Sequence, residues 1–99
     1  MASRRRLLMR EELKELIRGL PPELKRKVRA GLDVILDTPE SGKPLQRELC
    51  GLRSLRVGRY RVVYRIVSDV EIELVVVGPR PTVYDETLRK IDSTPADDE

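Results

Sequence analysis

The hydrophobic periodicity of this chain changes once, near residue 49, from a helical repeat to a strand repeat. Before that point apolar residues recur every three or four positions, in stretches that end at Gly19 and at Thr38-Pro39. After it, apolar residues alternate with charged ones, at roughly 52–57, 59–67 and 71–78. A chain of 99 residues with this order is expected to form one domain, helices first and strands second.

The first half predicts two helices joined by a short turn. Pro21-Pro22 ends the first helix and begins the second, because proline is tolerated in a first turn. We expect the two to pack as an antiparallel hairpin. The preceding "RRLLM" fits either a short strand or a first helical turn, and the following "PESGKP" is expected to be a loop. The apolar stripes are Leu13, Leu16, Ile17 and Leu20 in the first helix, and Leu24, Val28, Leu32, Ile35 and Leu36 in the second.

The second half predicts a hairpin whose register follows from its apolar faces. Pairing Val67 with Glu71 across a three-residue loop sets Ile66 opposite Ile72, whereas a one-residue slip would move the apolar set to the other face. In this register Tyr64 lies opposite Leu74, Arg65 opposite Glu73 and Arg61 opposite Val77, and Ile72, Leu74 and Val76 share one face. The fold class is therefore α+β, with the helix hairpin packed on one face of a three- to four-stranded, mainly antiparallel sheet.

Fixed positive charge lies along the best strand of the sheet, in "RVGRYRVVYRI". An unpaired charge is costly to bury, so we expect Arg56, Arg61 and Arg65 on the sheet face away from the helices, and Arg53 toward the helix side or edge. Four of the 17 acidic residues lie in the last eight positions, so residues 1–91 carry 20 basic and 13 acidic groups, a net of +7. This charge favours polyanions or acidic proteins as partners.

Several classes of function lose support from the composition. The chain has no histidine and one cysteine, so it lacks both an internal disulfide and a Cys-His pair. We expect Cys50 to be a small buried or half-buried hydrophobic residue in a reducing, cytoplasmic setting. No apolar run is long enough to span a membrane. Metal-ligand spacing is absent, so we expect no metal and no small-molecule cofactor.

The segments "GLRSLRVGRYRVVYRI" and "VVVGPRPTVY", with the preceding "LPPELKRKVRAGLDVILDTPESGKPL", resemble the RelE/ParE superfamily of toxins from toxin–antitoxin pairs. The resemblance spans about residues 7 to 91 and implies a single RelE-like toxin domain over 1–91. The acidic segment 92–99 beyond it is expected to be a disordered tail.

The resemblance also implies an activity and a site. RelE-branch toxins are ribosome-dependent endoribonucleases that cut mRNA, and their functional residues fall on Arg61, Arg80 and Tyr84. We therefore expect these three as catalytic residues, Arg53, Arg56 and Arg65 as RNA-phosphate ligands, and the ribosome, mRNA and a cognate antitoxin as partners. Cleavage would proceed by attack of the RNA 2′-OH on the adjacent phosphate, without metal.

Two alternatives stay open. ParE-branch toxins inhibit DNA gyrase and cut nothing, and a decayed toxin would only bind its antitoxin. Leu52 and Ser54 stand where RelE relatives often carry lysines, which places the usual RNA-positioning lysines in question. Retention of Arg80 and Tyr84 favours the nuclease branch.

Overall fold

The computed structural model describes residues 5–79, and these form two helices and a sheet. Helix α1 spans Glu11–Arg18 and α2 spans Pro22–Asp37. Short 3₁₀ turns follow at Pro39–Ser41 and Arg47–Leu49. The strands are β1 Arg6–Leu8, β2 Lys43–Pro44, β3 Arg53–Val57, β4 Tyr60–Ser68 and β5 Glu71–Pro79.

The sheet has five strands in the order β1-β5-β4-β3-β2. Strands β2 to β5 pair antiparallel, and β1 runs parallel to β5. The α+β class and the helix hairpin are confirmed, but the strand count exceeds the three or four predicted. The "RRLLM" stretch supplies β1, and the predicted loop "PESGKP" contains β2.

The helix hairpin begins and ends at the predicted signals and buries one face. Pro22 opens α2, and the Gly19 N–H bonds to the Glu15 carbonyl at the end of α1. The guanidinium of Arg5 donates to the Leu36 carbonyl at 2.9 Å, which satisfies a free carbonyl at the end of α2. Leu16 was predicted to be in the apolar stripe but is 46% exposed, because it lies at the edge of the face that Leu13 and Ile17 bury.

The β4–β5 pairing confirms the central register and corrects both ends. Tyr64↔Leu74, Arg65↔Glu73 and Ile66↔Ile72 pair as predicted. The predicted Val67–Glu71 pair and the three-residue loop are wrong, because Val67 forms a bulge, Ser68 pairs with Glu71 and only two residues form the loop.

A second bulge at Val75 changes the faces of the strand end. Val63 pairs with Val76 and Val62 with Val77, so the predicted opposition of Arg61 and Val77 is wrong. Arg61 instead lies opposite Gly78. Because Val75 is an extra residue in β5, the side chain of Val77, rather than that of Val76, points toward the helices. Val77 therefore packs in the core with Val62, Tyr64 and Leu74.

The sheet face away from the helices, called here the outer face, is partly covered. Its centre holds a small apolar cluster of Leu52, Val63 and Val76, against which Leu45, Leu49 and Val75 pack. The segment that covers it also contains Cys50, which is exposed rather than buried as predicted. Among residues 5–79, the outer face is therefore covered at its centre and exposed around this cluster.

The hydroxyl of Tyr64 ties the sheet to the turn that follows α2. The ring is fully buried, its hydroxyl donates to the Pro39 carbonyl, and it accepts a hydrogen bond from the Gly42 N–H at 2.9 Å. A side chain on Gly42 would place its Cβ 2.6 Å from this oxygen, so only glycine fits there. The Tyr64 hydroxyl thus fixes the position of β2.

Replacing Tyr64 with Phe should reduce the loss of folding stability that the protein shows as the pH rises above about 10. Burial is the main cause that raises the pKa of Tyr64 above its ordinary 10.0. The folded protein therefore holds this proton more tightly than the unfolded chain. The resulting stabilisation is complete below about pH 10 and is lost as the pH rises through the raised pKa.

The measurement is urea unfolding of the wild type and of Tyr64→Phe between pH 7 and pH 11. At neutral pH the variant should be less stable by about 1–3 kcal/mol, because two buried backbone groups lose their partner. The difference should shrink above pH 10. Tyr60→Phe is the control, since its hydroxyl makes no hydrogen bond to residues 5–79. A constant difference across the pH range would refute this role for the Tyr64 proton.

Candidate nucleic-acid interface

Strand alternation places Arg56, Arg61 and Arg65 on the outer face, as predicted. The evidence is their neighbours: Ser54, Val63 and Val76 form one cross-strand row, and Val63 and Val76 belong to the outer apolar cluster. Residues two positions along the same strands point to the same side of the sheet. The outer face therefore has arginines at both ends and an apolar centre.

The charges at the end near the β4–β5 loop are compensated. Arg65 is bonded to Glu73, with exposed side-chain fractions of 54% and 37%. Arg6 is bonded to Glu71 on the neighbouring strands. Exposed pairs of this kind contribute about 0–1 kcal/mol each. Arg65, predicted to bind RNA phosphate, is thus already engaged with a carboxylate.

The charges at the other end are not compensated within the described part of the chain. Arg56 and Arg61 lie directly opposite each other on β3 and β4. Neither makes an ion pair with any residue of 5–79. On the other side Arg61 faces Gly78, which has no side chain to cover it. We call Arg56 and Arg61 the arginine pair.

Arg53, another predicted site residue, is not brought to this pair. Arg53 lies on the helix side near the edge, where its guanidinium donates to the carbonyls of Gly42 at 2.7 Å and of Glu40 at 3.2 Å. It supports the turn before β2. Arg80 and Tyr84, like the tail 92–99, lie outside the described residues. They stay predictions, although Arg80 directly follows the end of β5.

Sequence reasoning missed the segment that covers the outer face. Leu45 and Leu49 pack on the cluster of Leu52, Val63 and Val76, and Ser54 beside it is buried. A short strand at Lys43–Pro44 begins this cover. The sequence signal for this strand is the polar-to-apolar alternation over Lys43, Pro44 and Leu45. Proline normally argues against a strand, but edge strands tolerate it.

A second surface feature lies between α2 and β3. It is an open groove of about 350 Å³, and Lys27 and Arg56 are among the residues that line it. Its apolar lining comes from Ala30, Val34, Leu55 and Val57. Since β2 pairs only with the first part of β3, no strand within residues 5–79 pairs with the outer edge of residues 55–57.

Within residues 5–79 no three carboxylate or cysteine side chains converge as a metal site would require. No helix in that range is long and apolar enough to cross a membrane.

The family of the chain is established by comparison with known proteins. The model for the ParE toxin of type II toxin–antitoxin systems, parDE, matches residues 6–84. The chain therefore belongs to this family, within the RelE/ParE superfamily, and is a toxin of a toxin–antitoxin system. The predicted resemblance is confirmed. The comparison with curated protein sequences returns no significant match.

Solved toxin structures share the fold. The match in the toxin–antitoxin complex RelBE2 from Mycobacterium tuberculosis is 28% identical, covers 79% of this chain and 100% of that one, and has a TM-score of 0.66. A mutant of the Escherichia coli toxin RelE in the free state is 24% identical, with coverages of 90% and 99% and a TM-score of 0.68. The YoeB–YefM complex from Staphylococcus aureus is 20% identical, with coverages of 77% and 97% and a TM-score of 0.61. The last two likenesses concern the fold alone.

The arginine pair should lower the stability of the free protein. Like charges directly opposite on neighbouring strands repel each other. Arg56→Glu should therefore stabilise the protein, by about 0.5–1 kcal/mol, because it sets a carboxylate opposite Arg61. Arg65→Glu makes the same change in net charge but sets a carboxylate opposite Glu73, and should destabilise the protein. The measurement is thermal unfolding at low salt. Equal losses in both variants would show that the two arginines do not repel each other.

Proposed function

We propose that this toxin is a ribosome-dependent endoribonuclease that cuts mRNA by metal-free attack of a 2′-OH on the adjacent phosphate. The observation that carries the proposal is the arginine pair, which lies on the outer face without an acidic partner in residues 5–79. The two residues are directly opposite on neighbouring strands, about 5 Å apart, so their guanidinium groups can donate side by side to one phosphate.

Cleavage requires three catalytic groups at one phosphate: a base, an acid and a cation. The 2′-oxygen forms a bond to phosphorus while the bond to the 5′-oxygen breaks, leaving a 2′,3′-cyclic phosphate and a 5′-hydroxyl. A base takes the 2′-OH proton, an acid supplies a proton to the 5′-oxygen, and cations stabilise the phosphorane between them. Arg61 would stabilise the phosphorane, since Gly78 beside it leaves room for the substrate.

Tyr84 and Arg80 are proposed for the remaining roles. A tyrosine has an ordinary pKa of about 10, and it can act as a base only where nearby cations favour its phenolate. Arg61 and Arg80 would supply that field. Arg80 follows β5 two positions after Gly78, the residue opposite Arg61, and this closeness along the chain supports the assignment.

Gyrase inhibition is the second candidate function, and the match to the ParE toxin family favours it. The arginine pair would then serve protein binding rather than cleavage. A toxin that has lost both activities would retain only the ability to bind its antitoxin.

An antitoxin is the proposed protein partner. The M. tuberculosis relative, which is 28% identical, was solved as a toxin–antitoxin complex. The groove between α2 and β3 suits an amphipathic acidic segment, since its lining is mostly apolar and Lys27 adds positive charge. Ribosome and mRNA are the other proposed partners, and they would place the protein in the cytoplasm.

Arg61→Ala should lower the rate of cleavage of ribosome-bound mRNA by about 10²-fold or more, because it removes a group that stabilises developing charge. Its thermal stability should stay the same or rise slightly, since the side chain has no ion-pair partner in the described residues and its repulsion of Arg56 is removed. Arg65→Ala is the matched control on the same strand and face; it loses only the pair with Glu73 and should cut normally. Arg80→Ala and Tyr84→Phe should behave like Arg61→Ala.

The assay includes DNA supercoiling by gyrase in the same extract, and co-expression of the product of the adjacent small reading frame, which should suppress the toxin. Intact mRNA with blocked supercoiling would move the assignment to gyrase inhibition. Normal cutting by Arg61→Ala, or a loss explained by unfolding, would refute the role of the arginine pair.

A further inference from the structure

Lys43 lies on the same face of the sheet as the arginine pair. It pairs with Ser54 across β2 and β3, and two residues later the Leu45 N–H bonds to the Leu52 carbonyl at 2.9 Å. Leu45 packs on the outer apolar cluster, so its side chain points to the outer face. Because alternate residues of a strand share a face, Lys43 points there too. Its side chain is exposed.

The distances follow from the register. Lys43 is directly opposite Ser54, which makes Arg56 its diagonal neighbour, at about 7–8 Å between Cα atoms. Arg56 is in turn directly opposite Arg61, at about 5 Å. Long side chains span such separations. Like the arginine pair, Lys43 has no ion-pair partner within residues 5–79. Three uncompensated cations therefore adjoin one another on this part of the sheet.

The backbone that carries Lys43 is fixed from both sides. The preceding residue, Gly42, has its N–H bonded to the buried Tyr64 hydroxyl and its carbonyl bonded to the Arg53 guanidinium. The following residue, Pro44, has a restricted φ angle. Little further ordering of this backbone is needed to present the amine, which is the condition for a preorganised binding group.

We propose that Lys43 is a third phosphate-binding residue, which together with Arg56 and Arg61 holds the backbone of single-stranded RNA on the outer face. This inference rests on the proposed function and adds a residue to its site. It gives the outer face an amine beside Ser54, an uncharged position of β3. The three cations would contact successive phosphates or the two sides of one phosphate.

The experiment measures the affinity of the full chain for a fluorescent 12-nucleotide oligouridylate at several salt concentrations. Each phosphate contact with a single strand contributes about −0.7 to the slope of log K against log salt. Lys43→Met should therefore reduce the magnitude of the slope by about 0.7 and weaken binding about fivefold at 0.1 M salt. Lys43→Arg should bind like the wild type. Lys14→Met, on the exposed face of α1, is the control for net charge and should change little.

Thermal unfolding of each variant shows whether it is folded. If Lys43→Met binds as tightly and with the same slope as Lys14→Met, the role of Lys43 is overturned. It is also overturned if the wild type does not bind the oligonucleotide. The proposed cleavage is judged separately, on ribosome-bound mRNA: a wild type that binds RNA through Lys43 but cuts no message would refute the endoribonuclease and support the binding site.

Discussion

The buried hydroxyl of Tyr64 is the interaction on which the outer face of this toxin depends. It binds both the Pro39 carbonyl and the Gly42 N–H, and so fixes the chain where it passes from the helix layer to the edge of the sheet. The Arg53 guanidinium binds the other side of the same turn. Beyond this turn the chain forms β2 and then covers the centre of the outer face with Leu45 and Leu49. The basic residues around that cover owe their placement to the same anchor.

The charge distribution differs between the two ends of the sheet. Near the β4–β5 loop each outer arginine has a glutamate beside it, and this end resembles an ordinary solvated surface. At the other end Arg56 and Arg61 face each other without acid in the described residues, an arrangement that costs stability in the free protein. Unfavourable local choices of this kind occur where a ligand supplies the missing partner.

Much of the fold could be predicted from the sequence, because the apolar patterns are strong. Apolar periodicity predicts both helices, and the prolines mark where they begin or end. It also predicts the central pairs Tyr64–Leu74 and Arg65–Glu73 of the β4–β5 hairpin. The bulges at Val67 and Val75 could not be predicted, since a bulge adds a residue without altering the apolar content of the strand. For this reason the partner of Arg61 was predicted wrongly as Val77 rather than Gly78. Only part of the proposed site could be predicted. The outer position of Arg56 and Arg61 follows from strand alternation, but Lys43 belongs to a two-residue strand with a proline, which has almost no sequence signal.

The central claim is that the outer face around Arg56 and Arg61 binds the phosphates of single-stranded RNA. The most direct test is an NMR titration of the ¹⁵N-labelled protein with a short 2′-O-methylated oligoribonucleotide, which lacks the attacking hydroxyl and stays intact. We expect the amide shifts to cluster at residues 43, 54, 61–63 and 78, none of which lines the groove between α2 and β3. Shifts confined to the groove between α2 and β3, or to the β4–β5 loop, would contradict the claim, as would their absence.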